Sequence, residues 1–328
     1  MLSVFLHEAT FLRLSERLKP FGSQICPRIY CDNGEVRQPW HNGIDGSDGG
    51  TIAFGSADIY FSPIAASFFA DLLAGPDLVW FQSGAAGFDH PMLTALGAKA
   101  DQFSNSHAQS DAIAEWIVWA GLDYFQNGAA RRAAQGDKAW RRISAREISS
   151  TRWLILGFGM IGRATGRRLK ALGAHVTGVR RSPGMDEHAD ILIAPDRLHD
   201  ALGAADAVLL AMPHNAETEA IADADFFARM RPGSLFVNVG RGALVDEAAL
   251  LNGLAGKRPG YAALDVFRQE PLADDSPFWT HPLVMLTPHI SAVTQQASDR
   301  TDALFLENLQ HFLEGKPLLH HVQKSIFS

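Results

Sequence analysis

A chain of 328 residues is long for one hydrophobic core and comfortable for two. Its 47% hydrophobic and 20% charged residues suit a globular protein, and a net charge of −7 with no basic run argues against a nucleic-acid partner. The two cysteines, Cys26 and Cys31, are too few for a disulfide framework and read as reduced thiols. No apolar run reaches the ~20 residues of a membrane span, and residues 1–14 lack the basic start of a secretion signal, so the expected location is the cytoplasm.

Residues 41–58 are rich in Gly, Asp and Ser and read as loops around the short apolar piece 51–54. Residues 59–61 and 78–82 look like buried strands with helical material between them, which makes the first part a small α/β unit. Ile113, Ile117, Ala120 and Tyr124 then recur at helical spacing, with Ser110 or Asp111 as the cap, in a helix suited to bridging two domains. Residues 126–150 are polar and carry six arginines and lysines, with Trp140 among them. Strands are expected at 153–156, 175–179, 207–211, 234–238, 261–265 and 284–287. Between them fall helices at 161–172, stopped by Gly173, at 223–230 and at 246–254. Short apolar strands alternating with helices mean a parallel, doubly wound sheet. Finally, Thr294 opens a long helix with Ala297, Leu304, Asn308 and Phe312 on one side, ending at Gly315 with Pro317 beyond. If that helix returns to the first part, the second domain is inserted within a discontinuous first one.

The run GFGMIG at 157–162 directly follows a strand and opens a helix, the context in which a G-x-G-x-x-G string binds a dinucleotide. Gly157 allows the tight turn, Gly159 lets the backbone approach a pyrophosphate, and Gly162 lets helix and strand pack closely. An NAD-binding unit of this kind usually carries an acid at the end of the next strand, for the ribose 2′-hydroxyl. Here that strand ends in Arg180, followed by Arg181 and Ser182. Guanidinium groups bind phosphate where a carboxylate would repel it, so NADP(H) is the expected cofactor, with NAD(H) also possible.

Arg241, Glu270 and His289 each follow a short apolar run that ends in a turn signal, as side chains delivered from strand ends to one cleft do. Their chemistry fits reduction of a 2-oxo acid. Arg241 can hold the substrate carboxylate and polarise the neighbouring carbonyl. His289 can exchange a proton with the carbonyl oxygen as hydride arrives. Glu270, bonded to the other imidazole nitrogen, would set the tautomer and stabilise the imidazolium. No cluster of Cys, His and acids has metal-ligand spacing, so no metal is expected. His107, His175, His214 and His281 read as structural or surface residues.

The run from Gly157 to Ser291 resembles the D-isomer-specific 2-hydroxyacid dehydrogenase family, which includes glyoxylate/hydroxypyruvate reductases and phosphoglycerate dehydrogenase. The matching stretches are GFGMIG at 157–162, AMPHNAET at 211–218, VNVGRGALVDEAAL at 237–250, ALDVFRQEPL at 263–272 and TPHIS at 287–291. Upstream, SGAAGFD at 83–89 resembles the loop whose amides receive the substrate carboxylate, and IAE at 113–115 the start of the interdomain helix. The resemblance implies a Rossmann-type NAD(P)-binding domain at 103–290, inserted into a flavodoxin-like substrate domain formed by 1–102 and 291–328. It implies Arg241, Glu270 and His289 as catalytic residues, and Ala85, Ala86 and Gly87 as substrate contacts beside Arg241 and His289. Met160, Ile161, Pro213, Val239 and Asp265 join the glycines and residues 180–182 as cofactor contacts, Asp265 on the nicotinamide side. A turn-capping role is the other reading of Asp265.

The expected activity is therefore NADPH-dependent reduction of small 2-oxo acids, with glyoxylate or hydroxypyruvate foremost. An NAD-linked dehydrogenase and a nucleotide-sensing corepressor of the same fold are the alternatives. Family members commonly dimerise through the nucleotide domain, which makes 121–150 a candidate interface arm. Domain closure is expected about hinges near 100–110 and 290–294.

Overall fold

The computed structural model describes residues 1–40, 49–75, 77–88 and 90–327. Positions 41–48 of the stretch read as loop, and Asp89 of the SGAAGFD run, lie outside the described residues. The chain divides into two compact units, one formed by Met1–Gln109 with Val293–Ser328 and the other by Ser110–Ala292.

The first unit begins with β1 (Leu2–His7), β2 (Ile25–Tyr30), β3 (Val36–Arg37), β4 (Thr51–Gly55), β5 (Leu78–Ser83) and β6 (Gln102–Ser104). Strands β1 and β4 are buried along almost their whole length, as strands covered on both faces are. At the end of β1, His7 Nδ1 accepts from the Ala9 N–H at 3.2 Å and so caps the helix Glu8–Leu18. Residues 59–61, expected as a strand, belong instead to a helical turn, Ala57–Tyr60, after which Phe61 is 65% exposed. Three apolar residues cannot discriminate strand from helix. The flanking sequence decides it, because Ser56 holds the extended entry and Asp58 lies in the first turn.

The second unit carries β7 (Arg152–Leu156), β8 (His175–Val179), β9 (Ile191–Ile193), β10 (Ala207–Leu210), β11 (Leu235–Asn238), β12 (Tyr261–Leu264) and β13 (Val284–Leu286). They form a seven-stranded parallel sheet in the order β13-β12-β11-β10-β7-β8-β9. Successive residues of β10 point to opposite apolar layers. Val208 and Leu210 meet Leu154, Phe236 and Leu250, whereas Ala207 and Leu209 meet Ile117, Ile155 and Val237. Because β8 and β10 lie on opposite sides of β7, the strand order reverses beside β7, the place where ligands bind in open α/β sheets.

The chain then returns to the first unit, where β14 (His321–Val322) pairs antiparallel with β6 and completes the order β14-β6-β5-β4-β1-β2-β3. The returning helix, Gln295–Leu313, is capped by Thr294 Oγ1, which accepts from the Ala297 N–H at 3.1 Å. Its buried face carries the expected Ala297 and Asn308 together with Phe305 and Leu309, while Leu304 and Phe312 are only half-buried. Phe305 stacks on Phe54 with ring centroids 4.5 Å apart and also packs against Trp80. Asn308 on this face is fully buried and fully used. Its amide donates to Gln82 Oε1 at 2.8 Å and to the Leu319 carbonyl at 3.1 Å, and its oxygen accepts from the Leu319 N–H at 2.7 Å.

The polar stretch near 126–150 folds as a helix, Gly128–Gly136, followed by irregular chain. Arg146 ties its end to the second unit by gripping the buried Asp206 with two bonds of 2.9 Å. Arg231 and the Arg152 N–H bond the same carboxylate. Trp140, between them in sequence, is 99% exposed.

Candidate active site

The candidate residues of the second unit follow the carboxyl ends of its strands, in the loops after β7, β8, β10, β11, β12 and β13 and, for Met160, Ile161 and Gly162, in the first turn of the helix after β7. One sheet edge therefore presents them all, in the spatial order of the strands.

At the switch point, Gly157 has φ +88°, and a Cβ there would strike the Ala211 carbonyl and the Met212 nitrogen. A Cβ on Gly162 would strike the Gly157 carbonyl oxygen at 2.6 Å, which is the close helix–strand packing that the motif requires. Around Gly159 nothing lies within 4 Å of the Cβ position, so space is open there for a phosphate. Gly159 also sits at the N-cap of the helix Met160–Ala171 with no side-chain cap, so the helix start offers its N–H groups and its positive dipole end. Glycine-sized space, a left-handed turn and an uncapped helix start fit a dinucleotide pyrophosphate. Met160 is half exposed at this helix start, beside the partly buried Ile161.

The residues after β8 form a basic turn. Arg180 Nε donates to the Ser182 carbonyl at 2.7 Å, and its Nη1 lies 3.9 Å from Asp186 Oδ2. Arg163, on the glycine-loop helix, bonds the same Asp186 oxygen at 3.1 Å, and the Asp186 side chain is only 5% exposed. Arg181 reaches Glu217 at 2.9 Å. Pro213 and Val239 follow β10 and β11, Pro213 exposed and Val239 buried.

The far half of the edge holds the other group. Arg241 follows β11, and its Nη1 donates to the Gly240 carbonyl at 2.8 Å. A Cβ on the next residue, Gly242, would collide with the Phe267 and Arg268 backbone, so the Arg241 loop lies directly against the loop that carries Glu270. Glu270 Oε1 accepts from the Phe267 N–H at 2.9 Å, and Oε2 lies 2.8 Å from His289 Nδ1. Burial pushes the Glu270 carboxyl up, but bonds from His289 and Phe267, with the charges of His289 and Arg241, hold it below the ordinary carboxylate value. It is thus a carboxylate at neutral pH, an acceptor for a proton carried on His289 Nδ1.

His289 has a left-handed backbone, φ 53°, which non-glycine residues adopt at a cost. Asp265 maintains it. The fully buried Asp265 carboxylate accepts from Thr287 Oγ1 at 2.5 Å, from the Ile290 N–H at 2.9 Å and from the Ser291 N–H at 3.0 Å. Its carbonyl accepts from the His289 N–H at 2.8 Å. Asp265 thus holds the turn at 287–291 together from the end of the neighbouring strand β12.

In the first unit, Ala85, Ala86 and Gly87 follow β5. The carbonyls of Gly84, Ala85 and Ala86 accept from Gln109 Nε2, the Ser106 N–H and Asn105 Nδ2 respectively. A trans peptide sets each carbonyl opposite the next N–H, so the amides of Ala86 and Gly87 face away from these partners.

The D-isomer specific 2-hydroxyacid dehydrogenase NAD binding domain matches residues 118–291, more than half of the chain. The chain belongs to this family. D-3-phosphoglycerate dehydrogenase of Mycobacterium bovis is 31% identical over 289 residues, covering 87% of this chain and 54% of that protein. Glyoxylate/hydroxypyruvate reductase A of Serratia proteamaculans is 32% identical over 194 residues, 58% of this chain and 62% of the relative. The chain thus spans about half the length of the phosphoglycerate dehydrogenases that it matches. Among solved structures, a D-isomer specific 2-hydroxyacid dehydrogenase from Xanthobacter autotrophicus in complex with NADPH and MES superposes with a TM-score of 0.78. It is 25% identical and the match covers 99% of each chain. The NADPH-dependent glyoxylate/hydroxypyruvate reductase from Sinorhizobium meliloti, in complex with NADP and sulfate, gives 0.77 at 25% identity, over 100% of this chain and 99% of that one.

Three features of this family member's site have no motif of their own. Arg163 and Asp186 beside Arg180 lie outside the strings that drew attention, although a basic residue directly after the third glycine was a usable signal. His214, Glu247 and Arg268 lie in three of the quoted strings, yet nothing in the sequence shows that Glu219 joins His214 to the Arg268 side chain or that the Arg268 N–H donates to Glu247. The left-handed backbone of His289 leaves no sequence trace, because a histidine carries no mark of the φ it adopts.

Proposed function

We propose that this chain reduces the keto group of small 2-oxo acids, glyoxylate and hydroxypyruvate foremost, with NADPH as the preferred reductant. The observation that carries the reading is the 2.8 Å His289–Glu270 pair on the same sheet edge as the glycine loop. The NADPH or NADP in the X. autotrophicus and S. meliloti structures, and the basic turn at 180–182, support the cofactor choice. With its pyrophosphate on the Gly157, Gly159 and Gly162 cradle, the cofactor would supply hydride from its nicotinamide ring. Arg241 holds the substrate carboxylate and polarises its carbonyl. Glu270 fixes the Nδ1 proton of His289, which leaves Nε2 as the atom that passes a proton to the nascent alkoxide. Met160, Ile161, Pro213 and Val239 line the cofactor's path along the sheet edge.

Consumption of NADPH and NADH, followed at the nicotinamide absorbance band with each 2-oxo acid, tests this reading. Turnover with NADPH preferred is expected; a protein that binds NADPH yet turns over no 2-oxo acid would move the weight to a nucleotide-sensing role.

A cytoplasmic homodimer completes the reading. Cys26 and Cys31 are buried, and Trp119, Leu122 and Trp140 are 50%, 37% and 99% exposed on the 110–150 segment, apolar surface that a second copy would cover. Light scattering should give twice the chain mass of 35.7 kDa, and a single-chain mass would refute the dimer. The net charge of −7 argues against nucleic acid as a partner.

A further inference from the structure

Strands β8 and β10 flank β7, so the loops that follow them stand on either side of the glycine loop, about 10 Å apart at two strand spacings. Arg181 comes from the first of these loops and Glu217 from the second, and their side chains meet at 2.9 Å across the gap. Both side chains are about three-quarters exposed, at 76% and 77%. The neighbouring Arg180 is engaged differently, folded back on the Ser182 carbonyl and next to the nearly buried Asp186. Of the two arginines, Arg181 is the one whose anionic partner belongs to the facing loop.

We propose that Glu217 is a cofactor-selectivity residue, an internal anion that occupies Arg181 and is displaced when the 2′-phosphate of NADP(H) arrives. This rests on the reading of residues 180–182 as the 2′-phosphate site. Two effects act in the same direction. The phosphate must break the Arg181–Glu217 pair before it can take the guanidinium, and a dianion brought beside a carboxylate is repelled by it. NAD(H) has a hydroxyl at that position and meets neither penalty. Glu217 therefore tempers the preference for NADP(H) that Arg181 creates. Because the pair is exposed, the effect is modest, on the order of fivefold at most in affinity, and it weakens as salt is added.

The test measures dissociation constants of NADPH and NADH for the purified full-length protein by nicotinamide fluorescence, at low and high salt. Four proteins are compared: the parent, Glu217→Gln, Arg181→Gln and the double variant. Glu217→Gln is expected to tighten NADPH about two- to fivefold and leave NADH unchanged. In the Arg181→Gln background the same substitution should lose most of its selective effect. Equal tightening of both cofactors, no tightening, or a gain that persists undiminished without Arg181 overturns the proposal. A parent protein with no preference for NADPH would instead refute the cofactor reading on which it rests, an outcome the parent measurement reports by itself.

Discussion

Replacing His289 with Asn is expected to lower kcat by about 10²–10⁴-fold while NADPH binds as before. Asn suits this test because it is among the few residues that tolerate the left-handed backbone, so the φ of 53° can survive the loss of the imidazole. The glycine cradle lies on the far side of β12, β11 and β10 from the loop after β13, out of reach of the substitution. Single-turnover rates and fluorescence titration of NADPH on the same protein separate the two quantities. Full turnover in the variant would remove His289 from the chemistry, and with it the proposed mechanism.

Asp265→Ala should be damaging in a different way. It strands the Ile290 and Ser291 N–H groups and the Thr287 hydroxyl, which the carboxylate now satisfies. A buried donor left unmade costs about 1–3 kcal/mol, so a loss of about 2–5 kcal/mol of stability is expected, together with a large fall in kcat as the 287–291 turn relaxes. Asp265→Asn retains one acceptor oxygen and should recover part of both. A residue serving only as a cofactor contact would behave otherwise, weakening NADPH binding with an unchanged denaturation midpoint. Urea denaturation and the KM for NADPH therefore discriminate between the two roles.

The second unit was legible because its strands are short apolar runs punctuated by glycines and caps. Residues 175–179 were placed to the residue as β8, and Asp223, Asp246 and Thr294 all cap the helices they were expected to open. The first unit was harder to read. Strand β1 ends at His7 with Glu8 opening the next helix, a pair that looks like an interruption, and the proline in β2, Pro27, argues against a strand. The turn at Ala57–Tyr60 shows how three apolar residues mislead when the cap beside them is overlooked. At the site, residue types and chain order were readable, since Arg241, Glu270 and His289 lie in distinctive strings. What escaped was anything decided by three-dimensional neighbours, such as Asp186 between Arg163 and Arg180 or Glu217 against Arg181.

The split composition of the first unit also dictates an order of events during synthesis. Residues 110–292 form one uninterrupted stretch and have all their sheet partners once β13 has left the ribosome. The first unit emerges earlier yet waits longer, because Phe305 and Leu309 cover Phe54 and Trp80 only after residues 295–313 have been made. For most of translation the nascent chain therefore carries an aromatic surface still lacking its lid, a stage at which chaperone binding or misassociation is favoured.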